Sequence, residues 1–298
     1  MKNMNKLSLS YFFRWFYIRF PKFFRNDRTY IEKLWIILNP NSYKLNLDNP
    51  MTFNDKLNWL KLYYHNPLQT VLADKYHAKE YVREIIGSQY VVPNFGKWSC
   101  VEEIDFSQLP NEFVLKTTHD SSGAFLVYDK SLLDISNVKN KFSYLLKRNW
   151  YWPNREWVYK NIEPNIIADE LLKDESQEIL RDYKFWCFNG KPQIMYCTVK
   201  SADIYENFYD MDFNVISINH GYKRHSPEFD RPQNFDLMKS LAEKLSQNLP
   251  FVRVDFFDVN GMVYFGEFTF YDWAGMKAFL SYEQDLLLGK MLDISHLL

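Results

Sequence analysis

The stretch RVDFFDVNGMVYFGEFTF, residues 253 to 270, carries Arg253, Asp255 and Glu267 inside two otherwise apolar runs. A charge on a strand that reads as core costs on the order of several kcal/mol unless something pairs with it. The partners open to these groups are one another or a bound cation. Asn260-Gly261 marks a hairpin turn, but a two-residue loop there would set Asp255 opposite Gly266 and send Glu267 to the other face. A three-residue loop, Val259-Asn260-Gly261 with Gly261 left-handed, instead puts Arg253, Asp255, Glu267 and Thr269 on one face. Two carboxylates that close repel. A hard cation such as Mg2+, held by one or two carboxylates plus substrate phosphates, would turn the repulsion into a ligand set. Arg253 paired to one acid is the alternative.

A second constellation lies in FVLKTTHDSSGAFLVYD, where Lys116 ends an apolar strand and a small polar loop runs from Thr117 through His119, Ser121 and Ser122 to Gly123. A strand-end Lys beside a Ser/Gly loop whose N–H groups can wrap oxygen atoms reads as a phosphate cradle, or as a plain strand-edge Lys. The spacing is not that of a P-loop or a dinucleotide fingerprint. In NIIADELL and RDYKFWCFNGKP, Glu170, Asp182 and Lys184 sit within or beside apolar strands and, one by one, read as edge charges. No Ser/His/Asp or Cys/His arrangement stands out.

The elements that must hold these groups are legible in outline. IEKLWIILN is a short helical run broken by Asn39-Pro40-Asn41. Thr52 and Asp55 form a capping box that starts a helix through FNDKLNWLKLYY. One helix is expected across residues 72 to 87, with Gly87 as its C-cap. Residues 113–120 and 123–129 read as paired strands, 134–160 as helix or loop, and NIIADELL, RDYKFWCFNGKPQIMYCTVK and the hairpin as strands. DLMKSLAEKLSQNL is the clear late helix. The pattern is α+β with antiparallel hairpins.

Bulk properties narrow the class. A length of 298 residues suggests about two domains, and 47% hydrophobic with 24% charged residues is ordinary for a globular protein. Aromatics, at 18%, point to a large aromatic core or to surfaces that meet sugars or membrane. A net charge of −1 gives no general pull toward nucleic acid. Cys100, Cys187 and Cys197 read as free thiols of a reducing, cytoplasmic compartment. Residues 7–25, LSLSYFFRWFYIRFPKFFR, are interrupted by Arg14 and Arg19 and ended by Pro21, so neither a signal peptide nor a spanning helix fits. This basic aromatic arm suits the inner membrane surface, or docking on the protein's own core or a partner subunit.

Taken in order, LADKYHAKEYVREIIGSQYVVP, LPNEFVLKTTHDSSG, IIADELL, DYKFWCFNGKPQ and RVDFFDVNGMVYFGEFTF resemble the ATP-grasp superfamily, and within it the TupA-like group named for teichuronopeptide biosynthesis. The resemblance spans roughly residues 45 to 292. It implies ATP held between a small lid and a larger catalytic domain, both built on antiparallel sheets. The expected division is a helical arm over 1–50, a helical part of the core over 51–100, a lid over 101–170 and a catalytic unit over 171–298. By the same resemblance Lys75 and Lys116 contact phosphates under the Thr117–Gly123 loop, with His119 in that loop. Glu170, Leu171 and Leu172 form the adenine hinge, Asp182 faces the ribose and Lys184 lines the pocket. Arg253 faces the transferred phosphoryl group, and Asp255 and Glu267 hold Mg2+, with Thr269 where the family has Asn. The implied reaction is ATP-dependent ligation of a carboxylate to an amine, on a surface polysaccharide or a lipid-linked precursor. Phosphorylation of a glycan hydroxyl, glycosyl transfer and non-catalytic binding are the rival readings. The βαβ substrate domain that opens many such ligases is replaced here by the aromatic arm.

Overall fold

The computed structural model describes residues 14–121, 123–175, 180–200, 203–219 and 221–298. Ser122 and residues 7–13 of the arm lie outside them. Two antiparallel sheets organise the chain. A four-stranded sheet has the order β1 (Asn94–Trp98), β4 (Ile166–Asp169), β2 (Phe113–Thr117), β3 (Phe125–Val127). A six-stranded sheet has the order β10 (Met262–Thr269), β9 (Phe251–Val259), β5 (Asp182–Phe188), β6 (Lys191–Lys200), β7 (Ile204–Tyr209), β8 (Val215–Ile216).

The period of two decides which side chains each sheet buries. In the smaller sheet Phe113, Leu115, Ile166 and Ala168 pack with Val138, Phe142 and Leu145 of α6 (Ile135–Leu146), spaced four and three apart on one helical face. Lys116 and Asp169 fall on the opposite face. In the larger sheet Tyr183, Phe185, Met195 and Phe256 share a core with Phe235, Met238, Leu241 and Leu245 of α8 (Phe235–Leu245). The other face is split along its length. Trp186 packs against Phe53, Phe188, Phe208 and Phe279, while Asp182, Lys184, Thr198 and Arg253 on the same face open into a cavity.

Local signals explain several elements. Thr52 and Asp55 form the capping box of α3 (Phe53–Tyr63), as the sequence predicts. The helix expected over 72–87 is instead α4 (Pro67–Ala73) and α5 (Lys75–Ile85), because Asp74 leaves the helix and accepts hydrogen bonds from Tyr76 N and His77 N at 2.8 and 3.0 Å. The break sets Lys75 at the first turn of α5, where its N–H donates to Thr118 O at 3.0 Å. Strand β1 belongs to the smaller sheet although it precedes residue 101, since it pairs with β4. Strands β7 and β8 and helix α9 (Tyr282–Met291) were not expected from sequence.

The described part of the arm docks on the chain itself. After α1 (14–19) and α2 (Asp27–Leu38), Tyr17 stacks on Tyr30 with ring centroids 4.9 Å apart. Arg155, 1% exposed, donates to Asp27 Oδ1 at 2.6 Å and to Pro21 O and Phe24 O at 2.8 and 2.9 Å, with its guanidinium 4.2 Å from the Tyr30 ring centroid. Arg155→Ala removes a buried cation and a donor from the carbonyls of Pro21, Phe24 and Trp152. Its urea midpoint is expected to fall by about 2–4 kcal/mol in stability, whereas Phe23→Ala, at a 73% exposed position, stays within about 0.5 kcal/mol. Equal midpoints would show that Arg155 does not hold the arm.

Candidate functional site

The hairpin of β9 and β10 reaches the expected arrangement by a different route. Its loop is the two residues Asn260 and Gly261, with φ of 51° and 78°, the left-handed pair of a type I′ turn. The three-residue loop is therefore corrected. Phe265 pairs with Phe256 and Phe268 with Val254, so Gly266 and Glu267 together oppose Asp255 in a bulge. That extra residue changes the phase of β10 and returns Glu267 and Thr269 to the face of Arg253 and Asp255.

Arg253 is the hub of this face. Its Nε and Nη2 donate to Asp255 Oδ1 and Oδ2, both at 2.7 Å, and Nη2 also reaches Glu267 Oε1 at 3.0 Å. Nη1 donates to Asp272 Oδ1 at 2.6 Å and to the Tyr196 hydroxyl at 3.1 Å. Lys184, directly across from Asp255 in the β5–β9 register, donates to Asp255 Oδ2 and to Asp182 Oδ2, each at 2.6 Å. Burial alone would raise the Asp255 carboxyl, yet Arg253 and Lys184 hold it below its ordinary value. Burial alone would lower Lys184, and Asp182 and Asp255 outweigh it and raise the ammonium.

The same cavity, of about 690 Å³, is faced by Lys75, Lys116, Ser121 and Gly123 from the smaller sheet and its loop. Lys116 Nζ lies 3.2 Å from Asp169 Oδ2, and Lys79 engages the other oxygen of that carboxylate. Lys75 Nζ donates to Asp120 O. Burial lowers the Lys75 ammonium, while Glu267, followed by Asp120, works in the opposite direction. At Gly123 a Cβ would meet Thr117 Oγ1 at 2.1 Å, so only glycine lets the loop fold back this closely.

Of the sequence-predicted site residues, Lys75, Lys116, Ser121, Gly123, Asp182, Lys184, Arg253, Asp255, Glu267 and Thr269 converge on this cavity. Thr117 is fully buried beneath Gly123. His119, grouped with the nucleotide-binding loop from the sequence, turns away from the cavity: its Nε2 lies 3.3 and 3.1 Å from the carbonyls of Leu145 and Arg148, and burial lowers its pKa. The ring anchors the loop to the end of α6. Glu170, Leu171 and Leu172 form the link leaving β4, where Glu170 N donates to Pro93 O at 3.0 Å, and they do not line the cavity.

Several lining residues went unmarked in the sequence: Trp150, Glu156, Tyr159, Tyr196, Glu206 and Trp273. Glu156 and Lys61 are buried, and burial pushes the acid up and the amine down. Trp273 and Ala274 are left-handed, at φ of 48° and 58°. For non-glycine residues such backbone costs on the order of 1–3 kcal/mol each. It is held in place by carbonyl clamps: Lys61 Nζ to Ala274 O (2.6 Å), Asn58 Nδ2 to Gly275 O (2.7 Å), Asn39 Nδ2 to Met276 O (3.0 Å) and Asn54 Nδ2 to Lys277 O (3.2 Å). Asn54, Asn58 and Lys61 recur on one face of α3, and a polar stripe at helical spacing was the signal available for this clamp.

Among the described residues no group of three or more His, Cys, Asp and Glu forms a preformed metal cage. The donor chemistry nevertheless suits Mg2+, which takes one or two carboxylates and completes its shell with water and phosphate. Asp255 and Glu267 are hard oxygen donors bridged by one guanidinium nitrogen, and around Arg253 and Lys184 the carboxylates Asp182, Asp255, Glu267 and Asp272 outnumber the cations.

A cleft between two antiparallel sheets, with lysines on one wall and a cation-bridged carboxylate cluster on the other, defines an ATP-grasp fold. The TupA-like ATP-grasp family matches residues 55–293, and the chain belongs to it. A search of curated proteins finds no match. Among solved structures, D-alanine–D-alanine ligase from Bacillus anthracis complexed with ATP is 16% identical over 74% of this chain and 63% of its own, at a TM-score of 0.41. D-alanyl-alanine synthetase A from Vibrio cholerae is 13% identical over 74% and 63%, at 0.44. The ATP-grasp ligase PsnB with minimal precursor, Mg and ADP is 12% identical over 80% and 64%, at 0.42. This chain thus spans less than two thirds of the length of each.

Asp169 offers a pH test of the lysine wall. Burial would raise it, but Lys116 and then Lys79 hold it below its ordinary value of 3.8, so it stabilises the fold above that pH and the stabilisation is lost as pH falls through its depressed folded value. Asp169→Asn is expected to cost about 3 kcal/mol at neutral pH, leaving Lys79 unpaired, and to flatten the acid limb of urea midpoints below about pH 4. A parallel downward offset at every pH would contradict the ion-pair assignment.

Proposed function

We propose that this protein is an ATP-dependent carboxylate–amine ligase acting on a carboxylate of a surface glycan or its lipid-linked precursor. The observation that carries this is the Lys184–Asp255–Arg253–Glu267 cluster facing Lys75 and Lys116 across one cavity. It supplies charge neutralisation on both sides of a polyphosphate and needs no enzyme nucleophile. Cys187, pushed up to about 12 by burial, and the equally buried Cys197 are unsuited to that role.

In the first step an acceptor carboxylate oxygen attacks the γ-phosphorus, the bond to the bridging oxygen breaks, and ADP leaves an acyl phosphate. In the second an amine nitrogen attacks the acyl carbon, the C–O bond to phosphate breaks, and the nitrogen loses a proton to a base. Lys75 and Lys116 would hold phosphate oxygens, and Arg253, fixed by Asp255 and Asp272, would meet the charge that develops on the transferred group. Asp255 and Glu267 would hold Mg2+, which when bound neutralises phosphate charge. The link 170–172 remains our candidate for the adenine end: the β9–β10 turn touches the chain just beyond it, with Asn260 Nδ2 donating to Lys173 O at 3.2 Å.

Hydroxylamine added to the Mg-ATP reaction with a uronate-bearing oligosaccharide is expected to trap a hydroxamate stoichiometric with ADP. Asp255→Asn and Glu267→Gln are each expected to lower kcat by roughly 10²-fold or more. ADP release without hydroxamate would favour hydroxyl phosphorylation instead.

The described residues contain no helix long and apolar enough to cross a membrane. The outer face of the arm nevertheless exposes Trp15, Ile18, Phe20 and Phe23 among Arg14, Arg19 and Lys22. We propose that it rests on anionic lipid. Since Tyr17 and Asp27 help anchor the arm, the test is the triple change Trp15→Ser, Phe20→Ser and Phe23→Ser. Co-sedimentation with phosphatidylserine vesicles is expected to be lost with Mg-ATP binding unchanged, and undiminished co-sedimentation would end this reading.

A further inference from the structure

Strand β9 fixes the direction of the cleft. Its turn end, Asn260, touches the 173–175 segment, with Glu175 N donating to Asn260 Oδ1 at 3.0 Å. Its other end holds Arg253 against Asp272, at the start of the loop that presents Trp273. On the proposed reading, a nucleotide whose terminal phosphate reaches Arg253 has the Trp273 loop on the far side of that phosphate.

The Trp273 loop and the β6–β7 side of the cleft, where Thr198 stands across from Asp182, differ in kind from the phosphate wall. The Trp273 side chain is 41% exposed and lines the cavity. Tyr222 lies 5.2 Å from it, and Lys277 Nζ sits 3.3 Å from the Tyr222 ring centroid and 4.4 Å from that of Trp273. On the sheet floor Thr198 and Glu206 pair across β6 and β7, and both line the same cavity. The Thr198 Oγ1 is buried and has no hydrogen-bond partner among the described residues. A strained backbone that four side chains hold in place is a device for aiming one residue, and the residue aimed is a partly exposed indole.

We propose that Trp273, Lys277 and Thr198 form the acceptor subsite, which takes an anionic pyranose with its C–H face on the indole, its acid group beside the Lys277 ammonium and a hydroxyl on Thr198 Oγ1. Calling the sugar an acceptor rests on the ligase reading, but its binding does not. Burial lowers Lys277 to about 8, which leaves the ammonium charged at neutral pH. Glu206 beside it selects against a second anion on the same ring.

The test is calorimetric titration of the full chain, loaded with Mg-ADP, with a hyaluronan tetrasaccharide and with neutral chitotetraose. The anionic sugar is expected to bind, and the neutral one about tenfold or more weakly. Trp273→Ala is expected to weaken the anionic sugar at least about tenfold and Trp273→Phe by no more than about threefold, with Mg-ADP affinity unchanged as the check on folding. Lys277→Gln should erase the preference between the two sugars. Binding of neither sugar, equal binding of both, or parent-like binding by Trp273→Ala would each overturn the subsite. Hydroxamate formation without tetrasaccharide binding would sink the subsite alone, and binding without hydroxamate would sink the ligase reading alone.

Discussion

One buried guanidinium holds the cavity face of the larger sheet together. Arg253 is 9% exposed and divides its donors among Asp255 on its own strand, Glu267 on β10, Asp272 on the loop that follows and the Tyr196 hydroxyl on β6. Desolvating such a cation is costly, and only its carboxylate partners offset the loss. The pairing is therefore reciprocal: the acids require Arg253, and Arg253 fixes the strands and the loop from which the acids project. Tyr196 and Asp272 complete the set, with the hydroxyl 3.0 Å from Asp272 Oδ1.

A sheet face that serves as core at one end and open cleft at the other follows from the pleat. On β5 the residues of one face run Asp182, Lys184, Trp186 and Phe188, changing from charged to aromatic within four positions of the period. The aromatic end is sealed by Phe53 and Phe279. The charged end is left open because the smaller sheet, rather than a packed helix, stands over it. Helix α3 does both jobs: Phe53 and Leu57 enter the core, while Asn54, Asn58 and Lys61 clamp the Trp273 loop.

Much of this was legible in the sequence where the signal is local. The Thr52–Asp55 capping box and the alternation in β2, β5 and β9 need only near neighbours to be read. The charged residues were also findable, since Arg253 and Asp255 on an apolar strand require partners wherever the strand sits. The hairpin shows the limit. The sequence shows that the phase of β10 must change, but a loop residue and a bulge residue change it equally, and the choice of Gly266–Glu267 depends on packing of Phe265 and Phe268. Strand β1 is defined by pairing with β4 across seventy-odd residues of chain, with few apolar positions of its own. Trp273 and Ala274 were illegible for a different reason: left-handed backbone at non-glycine residues has no local code and exists only because α3 and Asn39 enforce it.

The charge layout also explains why nucleotide and cation should bind together. The floor around Arg253 and Lys184 carries an excess of carboxylate, which repels a polyphosphate arriving alone. The opposite wall carries Lys75 and Lys116, of which Lys116 is already paired with Asp169 and Lys75 donates to Asp120 O. A cation arriving alone would meet Asp255 with both oxygens already engaged by Arg253 and Lys184. A polyphosphate can compete for those two cations, loosening their hold on Asp255, while a cation on Asp255 and Glu267 cancels the repulsion the polyphosphate meets. On the proposed reading each ligand would lower the cost of the other, so their binding free energies would be coupled and reciprocal.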